Sequence, residues 1–188
     1  MEKLIIGSRG SKLALKYAEI AKKAFLKEID IEIEIKKITT EGDLILDRRT
    51  SEIGGKGEIV NNIEKELINK KIDVAVHSLK DVPSIKTKGL KMECFLKRND
   101  PQEVLINKAN LTLDKIKKNS VIGTSSLRRE FQLKHLRPDL NFKLIRGNID
   151  TRIKKLDEDQ YDSIILAKAG LSSLSIENRI SEVFECEK

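Results

Sequence analysis

The chain has 188 residues, which is enough for one large domain or two small ones. Charged residues make up 36% and hydrophobic residues 39% of the sequence, so a core can form and a chain disordered throughout is excluded. There is no long uncharged apolar run, and the only cysteines are Cys94 and Cys186. The sequence therefore predicts a soluble cytoplasmic protein without a membrane span, a secretory signal or a disulfide framework.

The formal net charge of +7 comes mostly from scattered lysines. These lysines alternate with glutamates, and no basic run contains one of the seven aromatic residues. A nucleic-acid-binding surface is expected to be a clustered basic stripe with aromatic residues within it. The charge pattern is more typical of solvated surfaces and disfavours nucleic acid as a partner.

In the first half of the chain, strand patterns alternate with helix patterns. Helical spacing of apolar residues predicts helices at 13–24 and 59–67. Apolar runs and alternating residues predict four strands, at 4–6, 31–35, 74–76 and 90–96.

The second half continues in the same manner, with a helix that begins near Leu127 and ends before Pro138. Predicted strands lie at 103–106, 121–122, 142–145 and 163–167. This order predicts an α/β fold with mainly parallel sheets, whose ligands lie at the carboxyl ends of the strands.

A weak internal repeat divides the chain. Residues 5–8 and 121–125 both read as a strand, a glycine and hydroxyl residues, followed by an arginine and a helix. Because helix N-termini carry unpaired N–H groups, each unit could hold an anion. The repeat suggests two similar domains with a hinge at 97–101, although the pattern also occurs as an ordinary turn.

The placement of arginine is a sharper signal in this lysine-rich chain. Half of the ten arginines lie in short polar motifs next to predicted strand ends: Arg9, Arg128, Arg129, Arg146 and Arg152. The guanidinium fork matches a carboxylate in a way that the lysine point charge does not. The pattern favours a ligand with several carboxylates or phosphates, and surface ion pairs are the alternative for any one arginine.

A second polar motif follows the predicted strand at 74–76. The strand leads directly into Ser78, Lys80 and Asp81 before Pro83 prevents a regular continuation. Asp81 is the best candidate for a catalytic carboxylate, and an aspartate that caps a turn is the alternative. His77 and His135 are predicted to be structural, and no cluster has the spacing of a zinc site.

Taken together, these motifs resemble the porphobilinogen deaminase (hydroxymethylbilane synthase) family. Seven stretches occur in family order and cover nearly the whole chain: 7–15, 40–43, 54–57, 75–83, 123–129, 146–152 and 164–171. Any one stretch is a weak signal, but seven in order are specific. The chain departs from the family pattern at Tyr17, where glutamine is usual, and at Glu58-Ile59, where Leu-Phe is usual.

The resemblance implies an enzyme of tetrapyrrole (haem) biosynthesis. Such an enzyme condenses four porphobilinogen molecules head to tail, releases ammonia and carries a covalent dipyrromethane cofactor. It also implies two similar domains of periplasmic-binding-protein type around a cleft, expected here at 1–95 and 99–188. The third, α+β domain of the family and its cofactor-anchoring cysteine are expected to be absent from this chain.

The resemblance also assigns roles to individual residues. Asp81 matches the catalytic aspartate of the family, and Lys56 lies in a loop that covers the cleft. The remaining matches are expected to bind the carboxylates of the cofactor and the growing pyrrole chain: Arg9, Ser11, Ser78, Lys80, Thr124, Ser125, Ser126, Arg128, Arg129, Arg146, Gly147 and Arg152.

Several expectations follow for the 188-residue chain. We expect it to recognise pyrrole ligands without sustained turnover, because the tethering cysteine is not found in its family context. The full-length enzyme is expected to be a monomer, and a dimer is possible for a truncated chain. The main alternative is a non-catalytic two-domain binder of polycarboxylate pyrroles, and a nucleic-acid binder ranks third.

Overall fold

A computed structural model describes residues 3–40, 57–85 and 87–185, with side chains from residue 60 onward in the second range. The chain divides into two compact units, Met1–Lys97 and Arg98–Lys188. Each is an α/β unit built around its own sheet. Among the described residues, no helix has the length and apolar character needed to cross a membrane.

Unit 1 contains a three-stranded parallel sheet in the order β2-β1-β3. A 3₁₀ turn at Leu79–Asp81 follows the last strand. The described elements are β1 (Lys3–Arg9), α1 (Lys12–Phe25), β2 (Glu32–Ile38), α2 (Gly57–Ile68) and β3 (Val74–Ala75).

The start of α1 is fixed by a cap directly after β1. The Ser11 side chain accepts a hydrogen bond from the backbone N–H of Ala14 at 3.3 Å. On the inner side of the sheet, Ile6, Ala18 and Ile33 form the buried cluster. This packing leaves Arg9, the last residue of β1, and the short connection to α1 at the carboxyl edge of the sheet.

Unit 2 contains a five-stranded sheet in the order β6-β5-β7-β4-β8. Two further 3₁₀ turns lie at Leu113–Lys115 and Glu177–Arg179. The regular elements are β4 (Glu103–Ile106), β5 (Val121–Gly123), α3 (Leu127–Leu136), β6 (Asn141–Lys143), α4 (Ile149–Asp157), β7 (Ser163–Ala167), α5 (Lys168–Leu174) and β8 (Glu182–Val183).

The direction of β4 sets which residues meet at one edge of this sheet. β5 is parallel to both β6 and β7, whereas β4 is antiparallel to β7 and β8. In this register Glu103, the first residue of β4, lies opposite Ala167, the last residue of β7. The amino end of β4 therefore joins the carboxyl ends of β5, β6 and β7.

Two apolar clusters cover the two faces of the sheet in unit 2. Along β7, Ile164 and Leu166 belong to one cluster and Ile165 to the other, as the alternation of strand side chains requires. Both faces are buried, so β7 is a continuous apolar run.

The prediction of a strand at 90–96 is wrong. The structure assigns no strand to these residues, and Cys94, Phe95 and Leu96 are exposed. Alternating side chains predict a strand only where a neighbouring strand supplies backbone partners, and none pairs with this segment among the described residues. The sequence reading also missed α4, α5 and β8, which are short.

A matched pair of leucine substitutions tests this packing. Leu166→Ala removes a side chain that is 3% exposed, and we expect it to lower the free energy of unfolding by about 2–5 kcal/mol. Leu136→Ala makes the same change at a residue that is 65% exposed, and we expect less than about 0.5 kcal/mol. Denaturant titration measures both, and equal losses would contradict the described core.

Candidate ligand-binding site

Two neighbouring parallel strands of unit 2 end side by side and open into polar loops. β5 ends at Gly123 and leads through Ser125 to α3, while β6 ends at Lys143 and leads through Gly147 to α4. Both loops therefore lie at the carboxyl edge of the sheet, where ligands bind in open α/β sheets. The loops and the first turns of the two helices carry four of the five arginines that the sequence singles out: Arg128, Arg129, Arg146 and Arg152.

Both helices begin with a side-chain cap. Ser126 accepts a hydrogen bond from the backbone N–H of Arg129 at 3.4 Å, and Asn148 accepts one from the N–H of Thr151 at 3.0 Å. The N-terminus of a helix carries a partial positive charge, which disfavours cations in the first turn. Arg128 and Arg129 nevertheless lie in the first turn of α3, and Arg152 lies one turn into α4. The local choice of residue is unfavourable unless a negative charge, from a side-chain carboxylate or a bound anion, lies beside these arginines.

The guanidinium groups of this cluster also act on one another. The pKa of Arg152 is lowered from 12.5 to about 10, first by burial and then by the positive charges of Arg129 and Arg146. Arg146 is itself buried, with 8% exposure. Like charges brought together in this way reduce the stability of the fold and increase its attraction for an anionic ligand.

Gly147 holds Arg152 in place through its backbone. Its carbonyl oxygen accepts a hydrogen bond from Nε of Arg152 at 2.8 Å. Its φ of 111° lies in a region that favours glycine, and an added Cβ would approach Cγ2 of Thr151 to 2.7 Å. This backbone geometry explains why a glycine stands between Arg146 and Asn148 in the motif.

Arg129 is anchored more firmly than Arg128. Its Nη1 donates to the carbonyl oxygen of Ile165 at 3.1 Å, and its Nη2 lies 2.7 Å from Oε2 of Glu103. Arg128 donates through Nη2 to Oε1 of Glu103 at 2.6 Å, and its side chain is 62% exposed. Nε of Arg129 is buried and has no hydrogen-bond partner among the residues that the structure describes.

The hydroxyl residues of the first loop organise the turn. The Thr124 backbone N–H donates to the carbonyl oxygen of Lys143 at 3.1 Å, which joins the two loops. Oγ1 of Thr124 accepts from the N–H of Ser126 at 3.2 Å, and Thr124 is only 1% exposed. Ser125 is half-buried between them.

In unit 1, the residues after β1 and β3 line a cavity of ≈ 50 Å³, which has room for a few water molecules. Lys80 is exposed next to it, and the backbone N–H of Asp81 donates to the carbonyl oxygen of Ser78 at 2.9 Å. The cavity brings together four of the predicted site residues with His77 and Tyr17: its lining is Arg9, Ser11, Leu13, Ala14, Tyr17, Val76, His77, Ser78 and Asp81.

His77 is a neutral member of this lining. Burial lowers its pKa and the positive charge of Arg9 lowers it further, while Glu64 and Asp81 oppose the shift. Its Nε2 is buried and finds no hydrogen-bond partner among the described residues. The sequence reading treated this histidine as structural, and its position beside Asp81 becomes visible only in three dimensions.

Glu103 is the other residue that the sequence reading missed. It opens β4 and contacts two of the predicted arginines, yet no local pattern marks it. Of the predicted site residues, Lys56 lies outside the described ranges. Within those ranges, no group of three metal-ligating side chains comes together.

The carboxyl edge of the unit 2 sheet is thus lined by guanidinium groups and helix N-termini, an arrangement that suits an anionic ligand. Residues 4–188 match the family described as porphobilinogen deaminase, dipyromethane cofactor-binding domain. The chain belongs to the porphobilinogen deaminase family.

Several curated relatives carry the name porphobilinogen deaminase. The protein from Staphylococcus saprophyticus is 51% identical over 93% of this chain and 57% of its own length. That from Bacillus subtilis is 48% identical over 100% of this chain and 60% of its own length. The chain thus spans about three fifths of the length of the curated relatives it matches.

Solved structures support the fold class. The periplasmic VFT2 domain of BvgS from Bordetella pertussis is 12% identical, with a TM-score of 0.50 over 97% of this chain and 75% of its own. A Streptococcus mutans structure described for glutathione import through GshT is also 12% identical, with a TM-score of 0.50 over 100% of this chain and 77% of its own. At this identity the likeness shows the fold alone, a mixed α/β fold whose neighbours are of periplasmic-binding-protein type.

Burial of the Arg152 charge, together with repulsion from Arg129 and Arg146, predicts a stabilising substitution. Arg152 has a pKa of about 10 in the folded chain and 12.5 ordinarily, so below about pH 10 its charge costs stability in full. That cost declines only as the pH rises above about 10. At pH 7 and low salt, Arg152→Met should raise the free energy of unfolding by about 1–2 kcal/mol. This net figure already includes the loss of the hydrogen bond to Gly147.

Lys154→Met is the matched control, because Lys154 lies on the same helix and its side chain is 77% exposed. We expect no comparable gain there. Added inorganic phosphate should stabilise the parent more than the Arg152 variant, as thermal unfolding would show. If Arg152→Met is less stable than the parent both with and without phosphate, the charge of Arg152 does not destabilise the fold.

Proposed function

We propose that this chain supplies the ligand-binding and catalytic residues of a hydroxymethylbilane synthase-type transferase. The reaction is the stepwise head-to-tail condensation of four porphobilinogen molecules with release of ammonia. The observation that carries the proposal is the cluster of mutually repelling arginines at two helix N-termini, together with membership of the porphobilinogen deaminase family.

The described residues fit the dipyrromethane group that the family implies. A dipyrromethane with acetate and propionate arms carries four carboxylates, and a guanidinium fork suits each of them. From unit 2, Arg146, Arg152 and Arg129 would hold the carboxylates of this group and of the porphobilinogen units that join it, with Arg128 at the exposed side. When bound, it supplies the free pyrrole carbon to which the first substrate unit is joined.

The first unit offers a second set of polar side chains to the same class of ligand. Arg9, Ser11 and Ser78 line one cavity with Asp81, and Lys80 is exposed beside them. We assign Arg9 and Lys80 to substrate carboxylates, and the two serine hydroxyls to hydrogen bonds with them. Lys56 is assigned to the same task on the strength of its family motif.

Asp81 is the residue that we assign to the chemical step. When the aminomethyl C–N bond of porphobilinogen breaks and ammonia leaves, positive charge spreads onto the pyrrole nitrogen. A fixed carboxylate that accepts the pyrrole N–H stabilises this charge more in the transition state than in the ground state. His77 beside it is kept neutral by burial and Arg9, and so adds no competing charge.

An arginine-to-lysine substitution tests the binding of carboxylates. Arg146→Lys keeps the charge but removes the fork, and it should weaken porphobilinogen binding by about 1–3 kcal/mol. The control is Arg179→Lys, since Arg179 pairs with Asp157 on a different part of unit 2. Calorimetric titration measures both variants, and equal affinities for the parent and Arg146→Lys would remove this arginine from the site.

A charge-removing substitution tests the role of Asp81. In protein supplied with dipyrromethane, Asp81→Asn should still bind porphobilinogen but release ammonia roughly a hundredfold more slowly or worse. Asp159→Asn makes the same change at a side chain that is 77% exposed and should leave the rate unaltered. Release from Asp81→Asn within about threefold of the parent rate would refute the assignment.

The same assay separates a transferase from a non-catalytic binder of polycarboxylate pyrroles. Porphobilinogen binding together with ammonia release in a single turnover supports the transferase. Porphobilinogen binding without any ammonia release, in protein supplied with dipyrromethane, supports the binder.

A further inference from the structure

The arginine cluster already contains a carboxylate of its own. Glu103 belongs to β4, yet its side chain reaches the first turn of α3 and lies between two arginines. Oε1 accepts a hydrogen bond from Arg128 at 2.6 Å. Oε2 forms an ion pair with Nη2 of Arg129 at 2.7 Å but accepts no hydrogen bond from the described residues. The Glu103 side chain is only 18% exposed.

A half-buried carboxylate among arginines that we assign to ligand carboxylates requires an explanation. It lowers the positive potential that attracts ligands, and it occupies guanidinium groups that a ligand would use. It also neutralises two adjacent cations at a helix N-terminus, where they are least stable. Glu103 therefore changes both the charge of the cluster and the orientation of two of its forks.

The two partners of Glu103 differ in how firmly they are held. Arg129 has a second anchor at the carbonyl oxygen of Ile165, and its side chain is 12% exposed. For Arg128, with 62% exposure, the described contact is the one to Glu103. Arg128 is thus the partner that a ligand carboxylate can recruit without disturbing Arg129.

We propose that Glu103 is a specificity-determining residue, whose carboxylate positions Arg129 and holds Arg128 until a ligand carboxylate replaces it. Simple anions such as phosphate would bind this site only weakly, because Glu103 already neutralises part of its positive charge. A ligand with several carboxylates would gain more, since it meets guanidinium groups already oriented to form paired hydrogen bonds. The inference rests on the proposed function for its natural ligand, but its effect on anions can be measured independently.

The test compares inorganic phosphate with porphobilinogen as calorimetric probes of the 188-residue chain. In Glu103→Gln the cluster loses one negative charge and the side chain keeps its size. Phosphate binding should strengthen roughly threefold to tenfold, while porphobilinogen binding should not strengthen. Glu158→Gln is the matched control at the C-cap of α4, with a side chain that is 48% exposed, and should change both affinities less than about twofold.

Glu103→Asp provides a second variant that retains the charge. Its shorter side chain cannot span both arginines, so the preference for porphobilinogen over phosphate should fall although the charge is unchanged. This variant decides the question if Glu103→Gln does not fold. If the preference for porphobilinogen over phosphate is unchanged in the folded Glu103 variants, the proposal is wrong. If both ligands bind more weakly by the same factor, Glu103 has only a structural role, and the proposal is again wrong.

The two proposals fail in different ways. If neither the parent nor any variant binds porphobilinogen, the proposed function is wrong. The phosphate affinities of the parent, Glu103→Gln and Glu158→Gln still judge Glu103 in that case. Phosphate binding that is equal in all three would refute its effect on the charge of the site.

Discussion

The repulsion among guanidinium groups at one edge of unit 2 is the constraint on which the rest of the site depends. Burial lowers the pKa of Arg152, and the nearby positive charges of Arg129 and Arg146 lower it further. Two of these three arginines lie near helix N-termini, whose partial charge has the same sign. An arrangement that is unfavourable in the empty protein becomes favourable when a polyanion binds.

The surrounding fold holds these groups in place through backbone atoms and one carboxylate. The carbonyl oxygens of Gly147 and Ile165 each accept a hydrogen bond from an arginine of the cluster. Backbone carbonyls orient a guanidinium without cancelling its charge, so they preserve the attraction for a ligand. Glu103 is different because it both orients and neutralises, and this sets the balance between affinity and selectivity.

Unit 1 contributes a different kind of site. Asp81 and His77 share a small cavity with Arg9, and the histidine is neutral because it is buried. We assign the Asp81 carboxylate to a cation that forms during the reaction, and the arginines of unit 2 to the carboxylates of the ligand.

The sequence predicts those features that depend on local patterns. Strand β7 and the helix that begins at Leu127 follow from apolar runs and spacing, and the arginines stand out because the other cations are mostly lysines. The strand expected at 90–96 does not form, because alternation cannot reveal whether a neighbouring strand exists. Glu103 could not be found either, since its partners are 25 and 26 residues away and meet it only because β4 runs antiparallel.

The most direct test of the central claim is the ¹⁵N chemical shift of each arginine Nε during a titration with dipyrromethane tetracarboxylate. If these arginines bind the ligand carboxylates, the signals of Arg128, Arg129, Arg146 and Arg152 shift together. Arg137 and Arg179, which pair with aspartates elsewhere in unit 2, should remain unchanged. Shifts that spread equally over all six arginines, or that are absent from the four, would contradict a carboxylate site at this edge of the sheet.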